Sequence, residues 1–320
     1  MPTRATFSAA GVIPATLLAF DQDFAIDEPA TRAHLRHVAA ADGLSAITVN
    51  GHASEVHACT FDEQRRILEL SLDAIGDRLP LVNGIYADGS LEAARIARMA
   101  ESAGASALLV LPPQSMIMGG QLRPEMALAH FRTIADATGL PIILFQYPMA
   151  TGLGHALDTL LRLVEAVPSI VAIKDWCNEP MRHEQHIRML QSLPRPVSGL
   201  TTHSSWLMAS LCMGAAGLLS GAGSVMAGLQ VELFRAVQAQ DLGRARAVND
   251  RIYPLVQAFY RAPFLDMHNR MKECLVMQGL MPRAVMRPPL MKLDDGEIAS
   301  LRRAMGEAGL LDTAIADAAE

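Results

Sequence analysis

The stretch Ser169-Ile-Val-Ala-Ile-Lys-Asp175 runs four apolar residues straight into a lysine. The chain has only three lysines, Lys174, Lys272 and Lys292, and the other 24 of its 27 basic residues are arginine. Where a permanent surface cation is needed this sequence uses arginine, so a lysine ending a buried-strand pattern suggests chemistry. An ammonium there is costly, its pKa falls, and the neutral amine becomes a nucleophile toward carbonyls. The competing expectation is a lysine that leaves the strand end and puts its head in water.

The elements that must position Lys174 alternate along the chain. Apolar runs of strand length fall near 11–18, 46–49, 79–83, 107–111, 141–146, 170–174, 197–202 and 217–220, each followed by a helix-period segment. Strands that are apolar throughout and followed by helices make a parallel sheet covered by helices. Eight such units predict a closed (β/α)8 barrel over residues 1–240, and no G-x-G-x-x-G follows the first strand to suggest a dinucleotide-binding sheet. After residue 240 three helical segments, 241–260, 266–278 and 294–308, follow without strands, which predicts a helical C-terminal extension over 241–320 that packs on the barrel and takes part in assembly. Its methionine-rich stretch from Met267 to Met291 reads as core packing. The last residues, 312–320, are expected to fray.

Composition excludes several classes. Hydrophobic residues make up 51% of the 320 and charged residues 19%, enough for a large core, and the net charge of −6 offers no basic face for nucleic acid. Four separated cysteines, Cys59, Cys177, Cys212 and Cys274, form no C-x-x-C and read as free thiols in a reducing cytoplasm. The N-terminal apolar run is broken by Pro14 and lacks a cleavage site, so it reads as a first strand behind a disordered leader, and no run is long enough to span a membrane.

In a (β/α)8 barrel the chemistry sits at the C-terminal strand ends, which puts Lys174 at the mouth of the sixth strand. The other strand ends, 50–55, 112–120, 145–152, 201–205 and 220–224, are rich in small and polar residues. The order and spacing of Gly11-Val-Ile-Pro-Ala-Thr, Val49-Asn-Gly-His-Ala-Ser-Glu55, Pro112-Pro113, Pro148-Met-Ala-Thr-Gly152, Ile173-Lys174-Asp175, Gly214-Ala-Ala-Gly-Leu-Leu-Ser220 and Ala308-Gly-Leu-Leu311 resemble the dihydrodipicolinate synthase and N-acetylneuraminate lyase family of class I aldolases. The resemblance implies the barrel with a three-helix extension, a cofactor-free Schiff base between Lys174 and a 2-oxo acid, and a homotetramer built from dimers. The residues expected to line the substrate pocket are Gly51, Ala53, Ser54, Gln114, Phe145, His203, Leu219 and Ser220, all at or beside those strand ends.

The departures are informative. Where the family has two threonines in its glycine loop, this chain has His52 and Ala53. Counting back from Pro148 puts Phe145 where the family has its proton-transferring tyrosine. The arginine that grips a second carboxylate falls at Ala150, and the tyrosine contributed across the dimer at Gln114. Tyr147, two residues beyond Phe145 on the same strand face, and His52 are therefore the candidates for proton transfer beside Lys174. The expected activity is a lyase, aldolase or dehydratase, on a 2-oxo acid, with 2-oxo-3-deoxy sugar acids among the candidates. The alternatives are dihydrodipicolinate synthesis proper and a non-catalytic barrel that binds a 2-oxo acid. The pairs His183/His186 and His34/His37 have metal-like spacing, but no third ligand is apparent in the sequence, no metal is expected, and both pairs read as solvated surface histidines on outer helices.

Overall fold

The computed structural model describes residues 7–311. The expected leader falls partly on residues 1–6 and the expected fraying on 312–320, both outside the described residues. The strands are β1 (Gly11–Pro14), β2 (Ile47–Val49), β3 (Leu81–Ile85), β4 (Ala107–Val110), β5 (Ile142–Gln146), β6 (Ile170–Asp175), β7 (Ser198–Thr201) and β8 (Gly217–Ser220). Each is short and almost wholly buried, so water cannot satisfy its backbone and a parallel neighbour must. All registered pairings are parallel, in the order β1-β8-β7-β6-β5-β4-β3-β2. Bridges Val12 to Leu44 and Ala15 to Thr48 draw β1 toward β2, leaving the barrel nearly closed.

Eight helices cover the sheet: α1 (Glu28–Ala39), α2 (Phe61–Ile75), α3 (Ser90–Ala103), α4 (Pro124–Ala135), α5 (Leu157–Ala166), α6 (Pro180–Gln191), α7 (Leu207–Cys212) and α8 (Gly223–Gln238). Their starts carry the expected signals. Asp27 accepts from Ala30 N–H ahead of α1, and Thr60 with Glu63 forms a capping box on α2. Three more follow, α9 (Leu242–Phe259), α10 (Met267–Met277) and α11 (Asp295–Glu307), within a residue or two of the segments read from the sequence. One strand is shorter than expected. β1 stops at Pro14; Ala15 and Thr16 N–H still donate to Ser220 O and Thr48 O, and Leu17 N–H then leaves the ladder for Ser224 Oγ.

Two apolar layers hold the architecture. One lies between the sheet and the outer helices and contains Ile173, Val110 and Leu144. The other fills the barrel interior with residues such as Val82, Leu109, Ala172 and Leu200, and is continuous with Leu255, Phe259, Met271 and Met305 of the C-terminal helices. The methionine stretch divides: Met271, Met281 and Met286 are buried core, while Met267 stands on a cavity wall and Met291 is exposed. At the end of β6 the faces alternate, so Lys174 points into the barrel mouth and Asp175 outward beneath α6.

Candidate active site

Lys174 pairs in register with Phe145 of β5 and Leu200 of β7. It is 7% exposed at the floor of a cavity of about 680 Å³. Its Nζ sits 4.1 Å from the centre of the Phe145 ring. Burial alone pushes the amine down to about 7, with no carboxylate pulling it back. A large part of the lysine population is thus neutral near physiological pH, the form that attacks a carbonyl.

Beside it the chain turns through 50–55. Asn50 and Glu55 both adopt left-handed backbone, which non-glycine residues seldom accept. Asn50 is held because its Nδ2 donates to Gln64 O and Asn83 Oδ1, both at 2.8 Å. Gly84 permits the close approach, since a Cβ there would lie 1.9 Å from Asn50 O. Glu55 is held by residues more than 200 positions further along the chain. Lys272 of α10, fully buried, donates from Nζ to Glu55 Oε1 at 2.5 Å, and Arg287 N–H donates to Oε2 at 3.0 Å. The C-terminal helices thereby set a barrel loop. Within that loop Ser54, Glu55 and Val56 N–H donate to its own carbonyls. Among the described residues the N–H groups of His52 and Ala53 donate to no backbone carbonyl, which leaves two adjacent donors for an anion.

The Tyr147 hydroxyl is hydrogen-bonded to His52 Nε2. The rings of Tyr147 and Phe145 are 4.5 Å apart, and His52 lies 6.1 Å from each. Burial, then the charges of Lys174 and His57, push His52 down to about 3, so it is neutral at pH 7. Burial raises the Tyr147 phenol. The pair can share a proton next to the amine.

The structure gathers most of the residues selected from the sequence and sets others apart. Lys174, His52, Ala53, Gln114, Phe145 and His203 line the cavity. Tyr147 lies just beneath its wall, 5% exposed. Gly51, Ser54, Leu219 and Ser220 do not line it. Ser54 Oγ donates to Thr16 O, and Ser220 Oγ is bonded to Ser204 Oγ, which does face the cavity. Sequence reasoning passed over Tyr86, Trp176, Tyr260, Phe264 and His268, all on the wall. The available signal was rarity: the chain has two tryptophans and four tyrosines, and both tryptophans and two tyrosines converge here.

One expectation is overturned. His183 and His186 are fully buried under α6, and both Nδ1–H groups donate to Asp175 Oδ2 at 2.8 Å. Three residues apart, they share the helix face that meets the sheet, where Asp175 provides a buried acceptor. His34 is buried as well, while His37 is exposed. Burial alone would raise the Asp175 carboxyl, but the two imidazole donors more than reverse this and hold it below the ordinary range. Asp175, Cys177, His183 and His203 bring four ligand-type atoms within 4.8 Å of one another. Each is already engaged: Asp175 Oδ1 accepts from Cys177 N–H, His183 Nε2 is bonded to Ser210 Oγ, His203 Nε2 accepts from Asn178 N–H and the Cys177 thiol donates to Glu179 O. The cluster works as a hydrogen-bonded brace between β6, α6 and the loop after β7.

A barrel with a buried, unpaired lysine at the end of its sixth strand has clear relatives. Residues 8–308 match the model of the dihydrodipicolinate synthetase family, and the chain belongs to that family, whose members are aldolase-type lyases. It is 29% identical to a 4-hydroxy-tetrahydrodipicolinate synthase of Kineococcus radiotolerans over 93% of each chain. It is equally identical to an uncharacterised DapA-like lyase of Halobacterium salinarum over 94% of each. Among solved structures, YagE, a prophage protein of Escherichia coli K12 in complex with pyruvate, superposes with a TM-score of 0.86 at 22% identity, over 94% of this chain and 99% of that one.

Proposed function

We propose that this protein is a cofactor-free Schiff-base lyase acting on a 2-oxo acid. The observation that carries the proposal is Lys174, buried at the cavity floor without a carboxylate partner and with its pKa brought to about 7. Its Nζ adds to the C2 carbonyl of the substrate, water leaves, and an iminium forms. The free N–H groups of His52 and Ala53 are suited to the substrate carboxylate. The iminium is the electron sink through which C3 loses a proton, the C3–C4 bond breaks, or water leaves across C3–C4. Tyr147 and His52 take and return the proton in place of the hydroxyl that Phe145 lacks. Burial keeps the His52 imidazole neutral and the Tyr147 phenol protonated, so the pair stands beside the amine in its uncharged, hydrogen-bonded form.

Condensation of pyruvate with aspartate semialdehyde is the second reading, supported by the likeness to the Kineococcus 4-hydroxy-tetrahydrodipicolinate synthase. Against it, Ala150 stands where an arginine would grip the semialdehyde carboxylate, and among the described residues no arginine lines the cavity. By the family resemblance the chain works in the cytoplasm as an oligomer, a dimer or tetramer, in which the unit 241–320 supports the barrel 1–240. Incubation with pyruvate and borohydride, followed by peptide mass analysis, tests the central claim. A stable adduct on Lys174 that is absent from Lys174→Ala is expected. Equal labelling of the two proteins would refute the proposal.

A further inference from the structure

We infer that the cavity above Lys174 takes a 2-oxo acid whose far end is uncharged and apolar, with an aromatic ring as its best occupant. The inference rests on the Schiff-base assignment and names the substrate class for that same site.

Size comes first. A cavity of about 680 Å³ is in the range that encloses a drug-sized ligand, far more than a three-carbon acid fills. The wall beyond the lysine must therefore meet something else.

That wall is built of rings. Only 5% of the chain is aromatic, yet both tryptophans, two of four tyrosines, Phe145 and Phe264 face one cavity. They come from different places: Tyr86 follows β3, Trp176 follows β6, Trp206 precedes α7, and Tyr260 and Phe264 belong to the link between α9 and α10. Tertiary structure alone brings them together. Trp176 and Phe264 are stacked with centroids 5.2 Å apart and planes 9° from parallel, and Tyr260 is 5.7 Å from Phe264. Leu265, Met267 and Leu290 extend the apolar surface toward solvent. Flat apolar groups are held by stacking and edge contacts on such a wall.

Charge comes second. Among the described residues no arginine lines the cavity, and its lining lysine is the one assigned to the imine. Among the described residues Glu55 is the only carboxylate on the lining, and its two oxygens are occupied by Lys272 Nζ and Arg287 N–H. His268 is held neutral by burial. A second carboxylate or a phosphate at the far end would be desolvated without a fixed cation to meet it.

Polar capacity comes third. Set among the rings, Ser204 Oγ is bonded to both Ser220 Oγ and Tyr260 hydroxyl, and His203 Nε2 accepts from Asn178 N–H. These groups satisfy one another, so the successive hydroxyls of an open-chain sugar acid would have Gln114, Asn178, Thr202 and Ser205 to meet and not the groups set among the rings.

The test compares four probes: pyruvate, 4-phenyl-2-oxobutanoate, 2-oxoglutarate and 2-oxo-3-deoxygluconate. Each is titrated against the protein, trapped with borohydride and measured as peptide mass gain at Lys174, which gives a half-saturating concentration whichever bond the enzyme later breaks. The phenyl acid is expected to saturate about tenfold below pyruvate, and the dianionic and polyhydroxylated acids no lower than pyruvate. In Phe264→Ala the ratio between phenyl acid and pyruvate should shrink by about fivefold. If 2-oxoglutarate or the sugar acid saturates lowest, if all four coincide, or if Phe264→Ala leaves the ratio unchanged, the apolar end is wrong while the imine stands. If pyruvate itself leaves no adduct on Lys174, the Schiff-base assignment fails and takes this inference with it.

Discussion

Two buried lysines in this protein have opposite fates. Lys174 and Lys272 both lose water around the ammonium, and burial lowers both pKa values. Lys272 meets Glu55 Oε1 and Val285 O, and the carboxylate pulls its pKa back up. Lys174 meets the face of Phe145 and an open cavity. Burial by itself is therefore no sign of reactivity; the partner decides. A paired lysine becomes a strut that holds the loop at 50–55, and an unpaired one is left as an amine that burial drives toward its neutral form. The two are coupled, because the loop held by Lys272 carries His52 to the site of Lys174.

The comparison breaks most sharply at Lys174. Lys174→Met should abolish pyruvate trapping and lower turnover on the true substrate by about 10⁴-fold or more, as loss of a covalent nucleophile does. The same change should stabilise the fold. Folded Lys174 holds its proton more weakly than the unfolded chain does, so its charged form costs stability fully below pH 7, and the cost is relieved as pH rises from about 7 toward 10.5. Denaturant melts at pH 6 should show Lys174→Met more stable by roughly 1.4 kcal/mol per pKa unit displaced, an upper bound. A variant less stable than the parent would remove the claim that this lysine is unpaired.

Lys272→Met should do the reverse. It leaves the Glu55 carboxylate buried without its cation, which costs about 3–5 kcal/mol. The double variant Glu55→Gln/Lys272→Met should recover most of that stability in urea melts. If the single variant melts like the parent, Lys272 is not a strut.

Tyr147→Phe and His52→Gln sharpen the comparison within the site. Each should lower kcat by about 10²-fold while borohydride still traps pyruvate, because proton transfer is lost and the amine is not. Full turnover in both would move the proton relay elsewhere.

The smallest effect is the pH profile. The rate of pyruvate trapping should climb about tenfold per unit below pH 7 and level off above it, as the fraction of neutral Lys174 does. A plateau beginning only near pH 10 would mean that Lys174 is solvated.

Much of this was legible in order along the chain. Eight apolar runs with helices between them, and three helices without strands after residue 240, fixed the element sequence to within a few residues, because strand burial and helix periodicity are local patterns. Lys174 stood out for the same reason: a rare residue type at the end of an apolar run. The histidines of α6 misled because a polar residue on a helix reads as solvated until its acceptor is known, and Asp175 lies on a neighbouring element. Ser54 and Ser220 misled similarly: both belong to strand-end loops or tips, but their hydroxyls are consumed by Thr16 O and Ser204.

What the sequence by itself determined is the barrel and its helical appendage, and it singled out Lys174 at the end of the sixth strand, since each follows from spacing within a short window. Tertiary structure alone decided the rest. It paired Lys272 with Glu55 across 217 residues, bonded Tyr147 to His52 across 95, and gathered scattered rings into one wall. Those contacts depend on where eight strand ends and a distant helix pair converge in space, and no pattern along one segment of chain records that convergence.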